Sequence, residues 1–120
     1  MAESASPGQR WTLTEAAFNK LLICLDPDRA RAGEQYEMIR RKLVKFFEFR
    51  GSLAPEDYAD ETINRVAQKV DQGETLLNPS SYFHGVARMI FMESLRAQEK
   101  ERLGLELEAL NFVPVSGENG

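Results

Sequence analysis

Asp57, Asp60, Glu61, Asn64 and Gln68 recur at i, i+3, i+4, i+7 and i+11, the spacing of one face of an α-helix. Two kinds of chemistry suit such a face. The pairs Asp57/Glu61 and Asp60/Asn64 have a spacing that could bind a divalent ion, although a carboxylate pair on an exposed helix is far more often simply solvated. The alternative is a docking surface for a basic partner. Acids in a first helical turn also complement the helix dipole, worth about 0.3–1 kcal/mol each at a surface site. That accounts for the start of the face and not for its continuation to Gln68, whereas docking accounts for both.

Other reactive residues are few. His84 is the one histidine, and without a second histidine or a cysteine cluster there is no ordinary metal-ligand set. Cys24 lies in an apolar stripe and reads as a small core residue rather than a nucleophile. No Gly-rich phosphate loop and no G-x-S-x-G occurs. Arg40, Arg41, Lys42, Lys45 and Arg50 form the best local candidate for phosphate contact, with a solvated basic face as a close competitor. Phe46, Phe47 and Phe49 interleave with them and could stack on bases. The first two already belong to an apolar stripe, and a core role is preferred for them. The expectation is a protein that is not an enzyme and carries neither metal nor cofactor.

Composition bounds the rest. With 120 residues, 42% of them hydrophobic and 28% charged, the chain has room for one globular domain. No apolar run approaches the roughly 20 residues a membrane helix needs. The first ten residues lack the basic-then-apolar order of a secretory signal, and a single cysteine fits a reducing cytosol; a cytoplasmic location is expected. Net charge is −4. Residues 26–50 hold seven bases and five acids, whereas residues 51–78 hold six acids and two bases. Duplex DNA held by bulk electrostatics calls for a more basic chain, so nucleic-acid contact must be local or supported by a partner.

The elements that carry these residues read as four helices and no strand. The first is expected over residues 12–25, opened by a Thr12/Glu15 capping box and burying Leu13, Ala17, Phe18, Leu21, Leu22, Cys24 and Leu25. The second is expected over residues 27–49, with Tyr36, Ile39, Leu43, Phe46 and Phe47 inward and Gly51 as its cap. The third starts near Pro55, buries Ala59, Ile63, Val66, Ala67 and Val70, and ends at Gly73. The fourth starts at Asn78–Pro79, buries Phe83, Val86, Ala87, Ile90 and Leu95, and is expected to stop near Leu103 because Gly104 breaks the pattern. The expected organisation is a loosely ordered segment over 1–11, an all-α bundle over 12–103, and a short helix or flexible tail over 104–120.

Three stretches, "YEMIRRKLVKFFEFRG", "PEDYADETINRVAQKV" and "SYFHGVARMIFMESLR", occur in this order over residues 34–103. They resemble region 2 of bacterial RNA polymerase sigma factors, especially the extracytoplasmic-function type. Glu56-Asp57 and Asp60-Glu61-Thr62 match that family's acidic helix; Phe83, Val86, Ala87 and Arg88 match its next helix. The resemblance implies that Asp57, Asp60, Glu61, Asn64, Arg65 and Gln68 bind core RNA polymerase, at the basic clamp helices of the beta-prime subunit. It implies that the loop over residues 71–81 receives an unstacked base of the minus-ten promoter element, and that Arg88, Arg96 and Lys100 face the promoter strands. Tyr82 stands where the family has a tryptophan and joins the DNA-facing set, as do Arg40, Arg41 and Lys45 of the basic helix.

Departures from the family pattern sharpen the expectations. Met89 stands in place of the family's asparagine, and Glu93 in place of an aspartate. The loop carries Asp71 and Glu74 and no base, a poor host for a phosphodiester strand. Seventeen residues after Leu103 are too few for region 4, so the chain is expected to be part of a longer factor or to work with region 2 alone. A sigma-like initiation factor is the first expectation. The alternative is an interaction adaptor with the same fold that binds polymerase or a regulator without reading a promoter. Trp11 is expected either to pack across the bundle end or to contact an anti-sigma factor.

Overall fold

The computed structural model describes residues 11–112. The segment over residues 1–10 and the tail over 113–120, for which a loose arrangement was expected, lie outside the described residues. Within them the protein is all-α, with helices α1 (Glu15–Leu25), α2 (Arg29–Phe49), α3 (Pro55–Asp71) and α4 (Pro79–Phe112). Two units divide the chain after Arg88. None of the helices is long and apolar enough to cross a membrane.

In the first unit, α3 packs against both α1 and α2, and α1 against α2. The reason lies in α3's own sequence. Ala59, Ile63, Val66, Ala67 and Val70 form an unbroken buried stripe, and two of the five are alanines that let neighbouring backbones approach. Ala17, Leu21, Leu22 and Leu25 of α1 and Leu43 and Phe47 of α2 complete this core. Phe18 meets Tyr36 edge-on at 5.1 Å between ring centroids, joining α1 to α2, and Phe47 lies 5.3 Å from Tyr58, joining α2 to α3. Thr62 is also fully buried, and its hydroxyl donates to the Tyr58 carbonyl at 2.8 Å, so no polar atom is stranded there.

Both connections after α2 and α3 use the same stop. Ser52 N–H donates to Phe47 O and Gly51 N–H to Glu48 O, each at 3.0 Å, and Gly51 sits at φ +76°. Glu74 N–H donates to Lys69 O and Gly73 N–H to Val70 O, each at 3.0 Å, with Gly73 at φ +100°. These are paired Schellman caps, and they satisfy carbonyls that the helix ends leave over. Asn78 caps α4 through Oδ1, which accepts from Ser81 N–H at 3.2 Å, with Pro79 in the first turn as expected.

Four boundaries or burials depart from expectation. The N-cap of α1 is Thr14, whose Oγ1 accepts from Ala17 N–H at 3.1 Å, so the Thr12/Glu15 capping box does not open the helix. Helix α2 begins at Arg29 rather than at Pro27, because Asp28 accepts from the N–H groups of Ala30 and Arg31. Leu95 is 41% exposed, and Ser94 takes the buried position after Ile90. Its hydroxyl donates to Phe91 O at 2.7 Å, which makes the burial affordable. Helix α4 runs through Gly104 to Phe112 instead of ending near Leu103. Arg102 donates to Glu99 and to Glu106 at 2.6 Å each, and this bridge spans the glycine.

Candidate functional site

The polar side of α3 is the natural starting point, since α3's other side is spent on the core. Asp57 and Asp60 are exposed, while Glu61, Asn64, Arg65 and Gln68 are half-buried on the same helix. Trp11 joins Glu61, Asn64, Arg65, Gln68 and Lys69 in lining a groove of about 320 Å³. Four of the six residues expected to bind polymerase therefore share one concave surface with an aromatic wall. Within it Arg65 Nε donates to Glu61 Oε2 at 3.2 Å, an i, i+4 pair that fixes the carboxylate along the helix.

Asp60 lies outside that groove and has a different engagement. Its Oδ1 accepts from Arg40 Nε of α2 at 3.1 Å. The hydrogen bond to Asp60 raises the Arg40 pKa above its ordinary value, so the guanidinium is charged throughout. One residue of the expected protein-docking set and one of the expected DNA-facing set thus neutralise each other. At the far end of α3, Asp71 pairs with Lys20 of α1 at 3.0 Å, which offsets one of the two acids of the following loop.

The remaining DNA-facing candidates divide among elements. Arg41 and Lys45 are exposed on α2. Arg88 is exposed on α4 in the first unit, and Tyr82 is half-buried there, its pKa raised by burial and then by Glu74. Arg96 and Lys100 are exposed, one turn apart, on the part of α4 that belongs to the second unit. Phe46 has the Arg50 guanidinium over its ring face at 3.8 Å and meets Phe47 and His84 edge-on. A ring engaged this way is a packing residue. His84 borders a second, smaller cleft of about 150 Å³ with Ile39, Lys42, Leu43, Phe46, Ser80 and Phe83. Phe49, by contrast, is 86% exposed. Cys24 is a half-buried free thiol, and no group of three or more potential metal-ligating side chains occurs among the described residues.

Periodicity identified the α3 face but not its aromatic wall. Trp11 is fifty residues from Glu61 in sequence, and no helical repeat links the two. Lys69, which also lines the groove, falls at i+4 from Arg65 and i+8 from Glu61, so helical spacing does reach it. No protein-family model matches the chain, and neither the curated proteins nor the solved structures contain a match to it.

Proposed function

We propose that this protein is a sigma-like transcription initiation factor that docks core RNA polymerase through the polar face of α3 and contacts minus-ten promoter DNA with α4. The groove on α3, lined by Glu61, Asn64, Arg65 and Gln68 together with Trp11, is the observation that supports it most. A concave surface with an aromatic anchor and fixed polar groups suits protein recognition better than solvated charge does. Asp57, exposed at the start of the same helix, adds charge complementarity to a basic coiled coil such as the beta-prime clamp helices. In this reading the protein is a cytoplasmic binding factor that needs no cofactor, and Arg88, Arg96, Lys100, Tyr82, Arg41 and Lys45 meet the promoter. The combined Asp57→Arg and Glu61→Arg variant should lose pull-down of core polymerase while circular dichroism stays helical. Undiminished pull-down overturns the reading.

The adaptor reading draws on a specific observation of its own. Arg40 is committed to Asp60 rather than presented to a phosphate, and the loop after α3 carries Asp71 and Glu74. An adaptor binds polymerase or an anti-sigma-type regulator without reading sequence. Fluorescence anisotropy with core polymerase present separates the two. A minus-ten single strand bound no better than a scrambled strand favours the adaptor, and a clear preference favours the initiation factor.

A further inference from the structure

From position 95 to position 110 every residue of α4 is exposed, although this stretch carries five leucines. Helices in proteins draw most of their stability from packing an apolar face, and this one has such a face. At about 100° per residue, Met89, Met92, Leu95, Leu103, Leu107 and Leu110 fall within one third of the circumference, and all are exposed. The buried Ile90 and Ser94 lie on the opposite side of the same helix. The apolar stripe also carries charge in a definite order, with Arg96 before its midpoint, Glu99 at it and Glu106 toward its end.

That order selects the occupant. Turned end for end about a two-fold axis at position 101, the stripe matches itself. Met92 then meets Leu110 of the second copy, Arg96 lies level with Glu106, Leu103 lies against the methylenes of Glu99, and Leu95 and Leu107 flank the seam on its two edges. Arg102 already donates to Glu106 Oε2, which orients the carboxylate, and a carboxylate has a second oxygen to offer Arg96. A parallel arrangement sets Arg96 against Arg96 and Glu106 against Glu106, which is repulsive. We propose that the second half of α4 is a self-association surface, joining two copies of this chain as an antiparallel helix pair. The pairing goes beyond the docking role of α3 and competes with DNA for Arg96.

Sedimentation equilibrium on the full chain tests it. A mass twice that of the 13.6 kDa chain is expected in the micromolar range, and the mass of a single chain throughout that range overturns the proposal. Arg96→Glu and Glu106→Arg should each weaken the dimer about tenfold, as each creates two like-charge contacts per pair. The two reversals together should restore it. Positions 96 and 106 lie about 15 Å apart along one helix, so restoration can only arise between chains. Additive weakening in the double variant overturns the antiparallel register. Both positions are exposed. Arg96→Glu leaves the Glu99–Arg102–Glu106 bridge intact, and its circular dichroism should be unchanged. Glu106→Arg removes one arm of that bridge, so its circular dichroism is read alongside its mass to separate loss of helix from loss of pairing.

Discussion

Arg40 Nε and Asp60 Oδ1 are 3.1 Å apart, tying the middle of α2 to the first half of α3. The bond crosses two sets of residues that the sequence alone would assign to different partners. Side-chain exposures of 34% and 54% place the pair at the surface, where such bridges are worth about 0.2–1 kcal/mol. A double-mutant cycle with Arg40→Ala and Asp60→Ala should return a coupling energy in that range by urea denaturation. A coupling indistinguishable from zero would mean that the contact is not populated in solution.

Tyr36 gives the fold an alkaline limit. Its pKa is raised above 10.0, first by burial, with Asp60 and Glu37 adding to the rise and Arg40 opposing it. The folded state therefore holds the phenolic proton more tightly than the unfolded chain. The stability this contributes is complete below the unfolded value and is lost as pH rises through the folded one. The melting temperature should be level up to about pH 9 and fall beyond about pH 10. Tyr36→Phe should flatten part of that fall; Tyr82, also raised, retains the rest.

Three glycines of this chain should respond to alanine with opposite signs. Gly51 and Gly73 hold positive φ, and a methyl group at either would meet no atom within 4 Å. The penalty is thus conformational alone, about 1–2 kcal/mol each. Gly104 sits inside α4 with equally open surroundings and no positive φ. Gly104→Ala should stabilise the second half of α4, by up to about 1 kcal/mol in helix propensity. Far-ultraviolet circular dichroism during melting reads all three.

Phe47 is fully buried where α2 meets α3. Phe47→Ala should cost about 3–5 kcal/mol, through lost burial and the cavity left behind. Phe49→Ala, two residues on and 86% exposed, should cost little. The contrast in urea midpoints separates the core aromatic from the surface one within a single helical turn.

Much of this fold could be read from spacing. The stripe Ala59, Ile63, Val66, Ala67, Val70 and the turn residues Gly51, Gly73 and Pro79 each carry their physical reason locally. The departures fall where residue type and helical position point different ways. Continuing Phe83, Ala87 and Ile90 by helical spacing lands on Ser94, whereas residue type alone points to Leu95, which is apolar yet exposed. Gly104 reads as a stop because propensity is local, whereas the Glu99–Arg102–Glu106 bridge that carries the helix past it depends on three neighbours at once. For the candidate site, the face on α3 is visible in the spacing and Trp11 is not, since no helical repeat connects Trp11 to a residue fifty positions away.

Helix α4 is one continuous backbone, but its burial ends at Ser94. Amide protection in such a helix tracks local opening rather than secondary-structure type. Hydrogen–deuterium exchange should therefore be slow around Phe83, Ala87 and Ile90 and fast beyond Leu95 in dilute solution. The rate at which deuterium enters the far end would then depend on protein concentration, which makes the exchange clock of a single helix a gauge of how often it has company.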